Sequence, residues 1–150
     1  MGIARLYRKD KTIIDSSGTP GYMSPEVIIN QPHDLSSDFF AVGVMLYEFM
    51  FCKRPYVGKS RKEIKDAILA REKNIKISDI PTGWSEEAAD LANKLLRRRT
   101  HQRIGKNGMI EIKEHPWLKD VNWSMLYLKE PLSPFIPKVI DFSNLGYRQF

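Results

Sequence analysis

Apolar side chains crowd residues 39–52 without leaving a polar side. Phe39, Phe40, Val42, Val44, Met45, Leu46, Tyr47, Phe49 and Met50 fall on every face of a helical wheel. A helix of that kind is expected to be covered all round, so the stretch predicts a central buried helix. Ser36 or Ser37 is the expected cap, and Lys53-Arg54-Pro55 stops the helix because proline cannot continue it. Two amphipathic helices are expected beyond it. One spans residues 60–71, with Ile64, Ala67 and Ile68 on one face. The other opens at Ser85-Glu86-Glu87 and carries Ala88, Leu91, Ala92, Leu95 and Leu96 at helical spacing. The acidic residues at its start suit the positive end of the helix dipole.

Shorter helices are expected after Pro25, with Ser24 as cap and the proline at the first helical position, and from Met109 to His115. Residues 2–24, 30–35 and 97–108 read as loops, and Pro81-Thr82-Gly83 as a turn. Pro131, Pro134 and Pro137 predict an extended tail after Trp123 that wraps the surface. No segment alternates as a strand and no repeat is present, so the predicted fold class is mainly α.

Composition narrows the function classes. At 150 residues, 42% hydrophobic and 11% aromatic, the chain fits roughly one domain with a real core and excludes wholesale disorder. The net charge of +6 admits an acidic partner. Its positive residues are dispersed apart from Arg97-Arg98-Arg99, and no nucleic-acid-binding motif accompanies them, so no nucleic-acid partner is expected. Cys52 is the only cysteine, which excludes an intramolecular disulfide and a four-cysteine zinc site and suits a reducing, cytoplasmic setting. Charges in residues 1–10 argue against a secretion signal. The central apolar stretch contains Glu48 and falls short of the ~20 residues a membrane span needs. No metal site is predicted.

Specific motifs then appear in order. Gly18-Thr19-Pro20-Gly21-Tyr22-Met23-Ser24-Pro25-Glu26 resembles the end of a protein kinase activation segment. Asp38-Phe39-Phe40-Ala41-Val42-Gly43-Val44-Met45-Leu46-Tyr47-Glu48 resembles the family's central helix, and Arg103-Ile104-Gly105 its RLG element. His115-Pro116-Trp117-Leu118 resembles the HPWF element. Asp120-Val121-Asn122-Trp123 and Pro134-Phe135-Ile136-Pro137 resemble the start of the tail in the AGC group, which includes the cyclic-nucleotide-dependent kinases. Gly2-Ile3-Ala4-Arg5 resembles the stretch after the metal-binding aspartate of the DFG element, with Gly2 as its glycine and Met1 in place of its phenylalanine.

The resemblance implies the helical C-terminal lobe of a serine/threonine kinase. Residues 1–118 would form a partial kinase domain and residues 119–150 the start of an AGC-type tail. The β-rich N-terminal lobe, the glycine-rich loop, the HRD catalytic loop and the DFG aspartate have no counterpart here. Phosphoryl transfer depends on those groups and on magnesium. The chain alone is therefore expected to be inactive and to bind no Mg-ATP, although a complete kinase would use it. A non-catalytic interaction module is the alternative.

The resemblance also implies roles for individual residues. Thr19 would contact the missing catalytic loop, and Gly18, Thr19, Pro20 and Met23 would receive the substrate next to its target hydroxyl. Glu48 would take a substrate arginine or else a structural ion pair, since a lone carboxylate in an apolar helix needs compensation. Glu26 would pair with Arg103, and Asp38 would accept hydrogen bonds from the catalytic-loop backbone. Asp15 stands where AGC kinases carry a phosphothreonine, leaving Ser16 and Ser17 as possible phosphosites. The implied partners are a protein substrate with basic residues near its target serine or threonine, and the missing kinase half or another protein. The tail aromatics Phe142, Tyr147 and Phe150 form no clear hydrophobic motif.

Overall fold

The computed structural model describes residues 17–133 together with residues 4, 13–15 and 135. The expectations for residues 1–3 and Arg5, for Ser16, and for Pro134, Ile136, Pro137, Phe142, Tyr147 and Phe150 lie outside the described residues. The chain divides into two compact units, Met1–Asp120 and Val121–Phe150.

The first unit contains helices α1 (Pro25–Ile28), α2 (Ser36–Phe51), α3 (Arg61–Ala70), α4 (Glu86–Leu95) and α5 (Ile110–Lys113). Short 3-10 turns sit at Pro20–Tyr22, Ile77–Asp79, Thr100–Gln102 and Pro116–Leu118. The fold is mainly helical, and among the described residues strand pairing is limited to one isolated bridge between Ile13 and His33. No described helix is long and apolar enough to cross a membrane.

The core forms where α2 meets α4. Phe40, Val44, Leu46, Tyr47 and Met50 are buried with Ala88, Leu91, Ala92, Leu95 and Leu96. Gly43 permits the close approach, because a Cβ there would lie 2.7 Å from the Leu95 Cβ. The cover is one-sided, so the apolar circumference of α2 is buried only in part. Val42, Met45 and Phe49 are exposed, Phe49 by 71%. An even spread of apolar residues cannot show which face a neighbour covers, and the packing elements of this unit lie on one side.

Helix caps follow local hydrogen bonding. Ser60 accepts from the Glu63 N–H at 3.2 Å, while the Glu63 carboxylate takes the N–H of Lys59, one residue before the cap, at 2.8 Å. Ser85 accepts from the Ala88 N–H at 3.3 Å. At α2 the expectation fails, since neither Ser36 nor Ser37 caps it. Asp34 stands before the helix instead, and its Oδ1 accepts from the Ser36 N–H at 2.9 Å and the Ser36 hydroxyl at 2.6 Å. The ionised carboxylate also suits the positive end of the helix dipole. Ser24 does precede Pro25, yet its hydroxyl makes no cap bond.

The second unit corrects the tail. It begins with α6 (Trp123–Leu128), where an extended chain was expected. Asn122 caps it by accepting from the Met125 N–H at 3.0 Å. Lys129 then turns left-handed and ends the helix before the first proline at residue 131.

Candidate functional site

Glu26 is carried on α1 and Arg103 comes after the Thr100–Gln102 turn. The chain brings them together across a wide sequence separation. Arg103 Nη1 donates to Glu26 Oε1 at 2.7 Å and Nη2 to Oε2 at 3.1 Å. Its remaining donors are used as well. Nη1 also reaches the Ser36 carbonyl at 2.8 Å, Nε the Arg97 carbonyl at 2.9 Å and Nη2 the Arg98 carbonyl at 3.3 Å. The guanidinium lies 5.1 Å from the Phe40 ring centre and is 1% exposed. Burial works to raise the Glu26 carboxyl, but the hydrogen bonds and charge of Arg103 outweigh it and hold the pKa below the usual carboxylate value. Ser37 adds a hydroxyl bond to Glu26 Oε1 at 2.9 Å. One side chain thus ties α1, the start of α2 and the loop after α4.

That anchor positions the segment before it. The Pro20–Tyr22 turn begins at Thr19, whose carbonyl accepts from the Tyr22 N–H at 2.9 Å. The Thr19 side chain is exposed. Gly18 has φ 140, a backbone shape that side chains rarely adopt. Gly18, Pro20 and Met23 line a cleft of about 400 Å³, with Lys62 and Lys65 of α3 on its other wall. The lining is mixed, with apolar Ile28 and Leu69 and with Asp66 beside the basic residues.

Glu48 on α2 is half-buried and accepts from the Tyr22 hydroxyl at 2.6 Å. This hydrogen bond, then burial, then the Glu48 charge raise the Tyr22 pKa, and Arg54 opposes them. The Arg54 guanidinium lies 6.0 Å from the Tyr22 ring centre. Gly21 makes room for it, because a Cβ at that position would come within 2.6 Å of Arg54 Nη1. Among the described residues Glu48 has no ion pair, so its compensation comes from a phenol and not from the structural cation considered from the sequence. Sequence reasoning misses Arg54 and the Tyr22 hydrogen bond. The apolar run around Glu48 gives no clue to its partner, but the bulk missing at Gly21 is a signal.

Asp38 is exposed in the first turn of α2. Asp15 accepts from the Ser17 N–H at 2.9 Å and the Ser17 hydroxyl at 2.6 Å. Among the described residues no group of three His, Cys, Asp or Glu side chains is placed to hold a metal ion.

Comparison with known proteins places these features. Residues 1–118 match the family profile described as Protein kinase domain. The probable serine/threonine-protein kinase pkgA of Dictyostelium discoideum is 41% identical over 130 residues, covering 87% of this chain and 9% of that protein. The serine/threonine-protein kinase cek1 of Schizosaccharomyces pombe is 38% identical over 139 residues, covering 89% of this chain and 10% of that protein. A protein of Caenorhabditis elegans described as cAMP-dependent protein kinase, catalytic subunit-like, is 40% identical over 133 residues, covering 86% of this chain and 32% of that protein. The chain therefore spans between 9% and 32% of the length of these relatives.

Proposed function

This chain belongs to the protein kinase family, and from that premise we propose that residues 1–118 act as the substrate-docking part of a serine/threonine kinase domain, with residues 119–150 beginning an AGC-type tail. The carrying observation is the saturated Glu26–Arg103 anchor, which fixes residues 18–26 beside the Pro20 and Met23 cleft. In this reading Gly18, Thr19, Pro20 and Met23 receive the residue that comes after the target serine or threonine. Glu48 attracts a basic side chain of the substrate, because its charge has no cation of its own among the described residues. Thr19, exposed at the end of the segment, and Asp38, exposed at the start of α2, face the catalytic loop of a complete domain. Ser17 is a candidate phosphosite, its hydroxyl steered by Asp15.

The family implies Mg-ATP for a complete domain. The residues present do not fit that group, since this sequence holds neither a glycine-rich phosphate loop nor the aspartate of a DFG element. We therefore assign no transfer step to these side chains. The isolated chain is expected to bind an arginine-containing serine peptide without phosphorylating it. Fluorescence anisotropy should show binding that weakens about tenfold in Glu48→Gln, the size of one lost charge-assisted contact. Equal binding by the variant would remove Glu48 from the site. Phosphorylation by the chain with Mg-ATP, persisting through further purification, would overturn the division of labour.

A further inference from the structure

A second cleft, of about 700 Å³, opens beside α1 and the loop after α4, and its lining includes Gln31, Glu72, Arg98, Arg99, His101 and Gln102. Its carboxylates are already engaged. Glu26 holds Arg103, while Glu72 takes Arg97 Nη1 at 2.6 Å and the Arg98 backbone N–H at 2.8 Å. Its cations are not matched. Arg98 and Arg99 enter no ion pair among the described residues. Arg98 Nε is shielded from solvent and meets no hydrogen-bond acceptor. A buried N–H without an acceptor is costly, so Arg98 carries an unused donor beside a cleft that it lines.

The backbone around Arg98 is clamped. Its N–H is held by Glu72, and its carbonyl accepts from Arg103 Nη2 at 3.3 Å. The backbone that carries the side chain is therefore held in place beside the cleft, which lowers part of the ordering cost of binding. Charge selects the ligand class. A carboxylate neutralises one guanidinium and leaves the other, whereas a phosphate monoester carries close to two negative charges and more acceptor oxygens. Arginine forks match phosphate oxygens in pairs. We propose that this cleft binds a phosphorylated serine or threonine side chain of a protein segment, with Arg98 and Arg99 as the phosphate ligands. This site is independent of the docking role assigned to Glu48, which lies outside the cleft.

The test tracks the arginine Nε–Hε NMR signals of the full chain during titration with inorganic phosphate. A phosphoserine peptide, its unphosphorylated form and its aspartate form are then titrated in turn. The Arg98 signal should move with inorganic phosphate, and the phosphopeptide should bind about tenfold or more tightly than either other peptide. Arg98→Ala and Arg99→Gln should each weaken it about tenfold. Arg99 is exposed, so Arg99→Gln keeps the test open if Arg98→Ala perturbs the fold. Either a motionless Arg98 signal or equal binding of all the peptides would overturn the site. So would a preference for a single-stranded oligonucleotide that survives both substitutions.

Discussion

Glu26 and Glu48 are the same side chain in two unlike settings against α2. Glu26 is 6% exposed, and both its oxygens are met by one guanidinium that itself has no donor left over. Glu48 is half-buried, takes one phenolic donor and has no ion pair among the described residues. The first carboxylate is closed to any newcomer and holds elements together. The second meets a single phenolic hydroxyl and no cation among the described residues. A buried charge with complete compensation is a fastening, while a wet charge with partial compensation is where binding selectivity can be built.

The sharpest way to break this contrast is Arg103→Ala. It strands the Glu26 charge and frees several carbonyls, so urea denaturation should show a loss of about 3–5 kcal/mol. A loss under about 1 kcal/mol would place the pair among ordinary surface ion pairs. Asp34 comes next, since it starts the helix whose Ser36 carbonyl Arg103 grips. Removing its cap in Asp34→Ala should cost about 1 kcal/mol. Its pH dependence has a definite sign. Partial burial would raise the Asp34 carboxyl, but hydrogen bonds from Lys106 and Ser36 and the Lys106 charge bring it down from 3.8 to about 2. A depressed folded-state value means that the unfolded chain binds the proton more tightly. The Asp34 contribution is therefore present above 3.8 and is lost as the pH falls through about 2. The gap between wild type and Asp34→Asn in unfolding curves should narrow across that window.

The smallest effect is expected at the open site. Tyr22→Phe removes one hydrogen bond that water can replace, so its stability cost should be the smallest of the three. Its phenol should titrate above 10 in the wild type, pushed up chiefly by the Glu48 hydrogen bond, a signal the variant lacks. A stability loss near that of Arg103→Ala would make Glu48 a second fastening and erase the contrast.

The helices long enough to display a period are legible in the sequence. α2, α3 and α4 lie where apolar spacing puts them, and Ser60 and Ser85 cap the two amphipathic ones. The 3-10 turns escape because three residues show no period. The start of α2 is misplaced from sequence because adjacent serines hide the acceptor at Asp34. α6 escapes because the prolines beyond it dominate the pattern and the Asn122 cap does not. At the candidate site, motif order leads to Glu26, Arg103 and Glu48. The Arg54 guanidinium over Tyr22 leaves only one trace in the chain, the missing bulk at Gly21, which shows that something approaches but not which residue.

The long reach of the Glu26–Arg103 tie also has a meaning in time. The partners are separated by 77 positions. At a synthesis rate of about 5–20 residues per second, Glu26 waits roughly 4–15 seconds before its arginine has been added. Leu95 and Leu96, which shield α2, arrive in the same late stretch. Through that interval the nascent chain carries an uncompensated acid beside an uncovered apolar helix, and neither can settle early by local pairing. Closure of this lobe is thus a late, long-range event that puts a slow step into folding. The half-made chain is the form that depends most on protection from its neighbours.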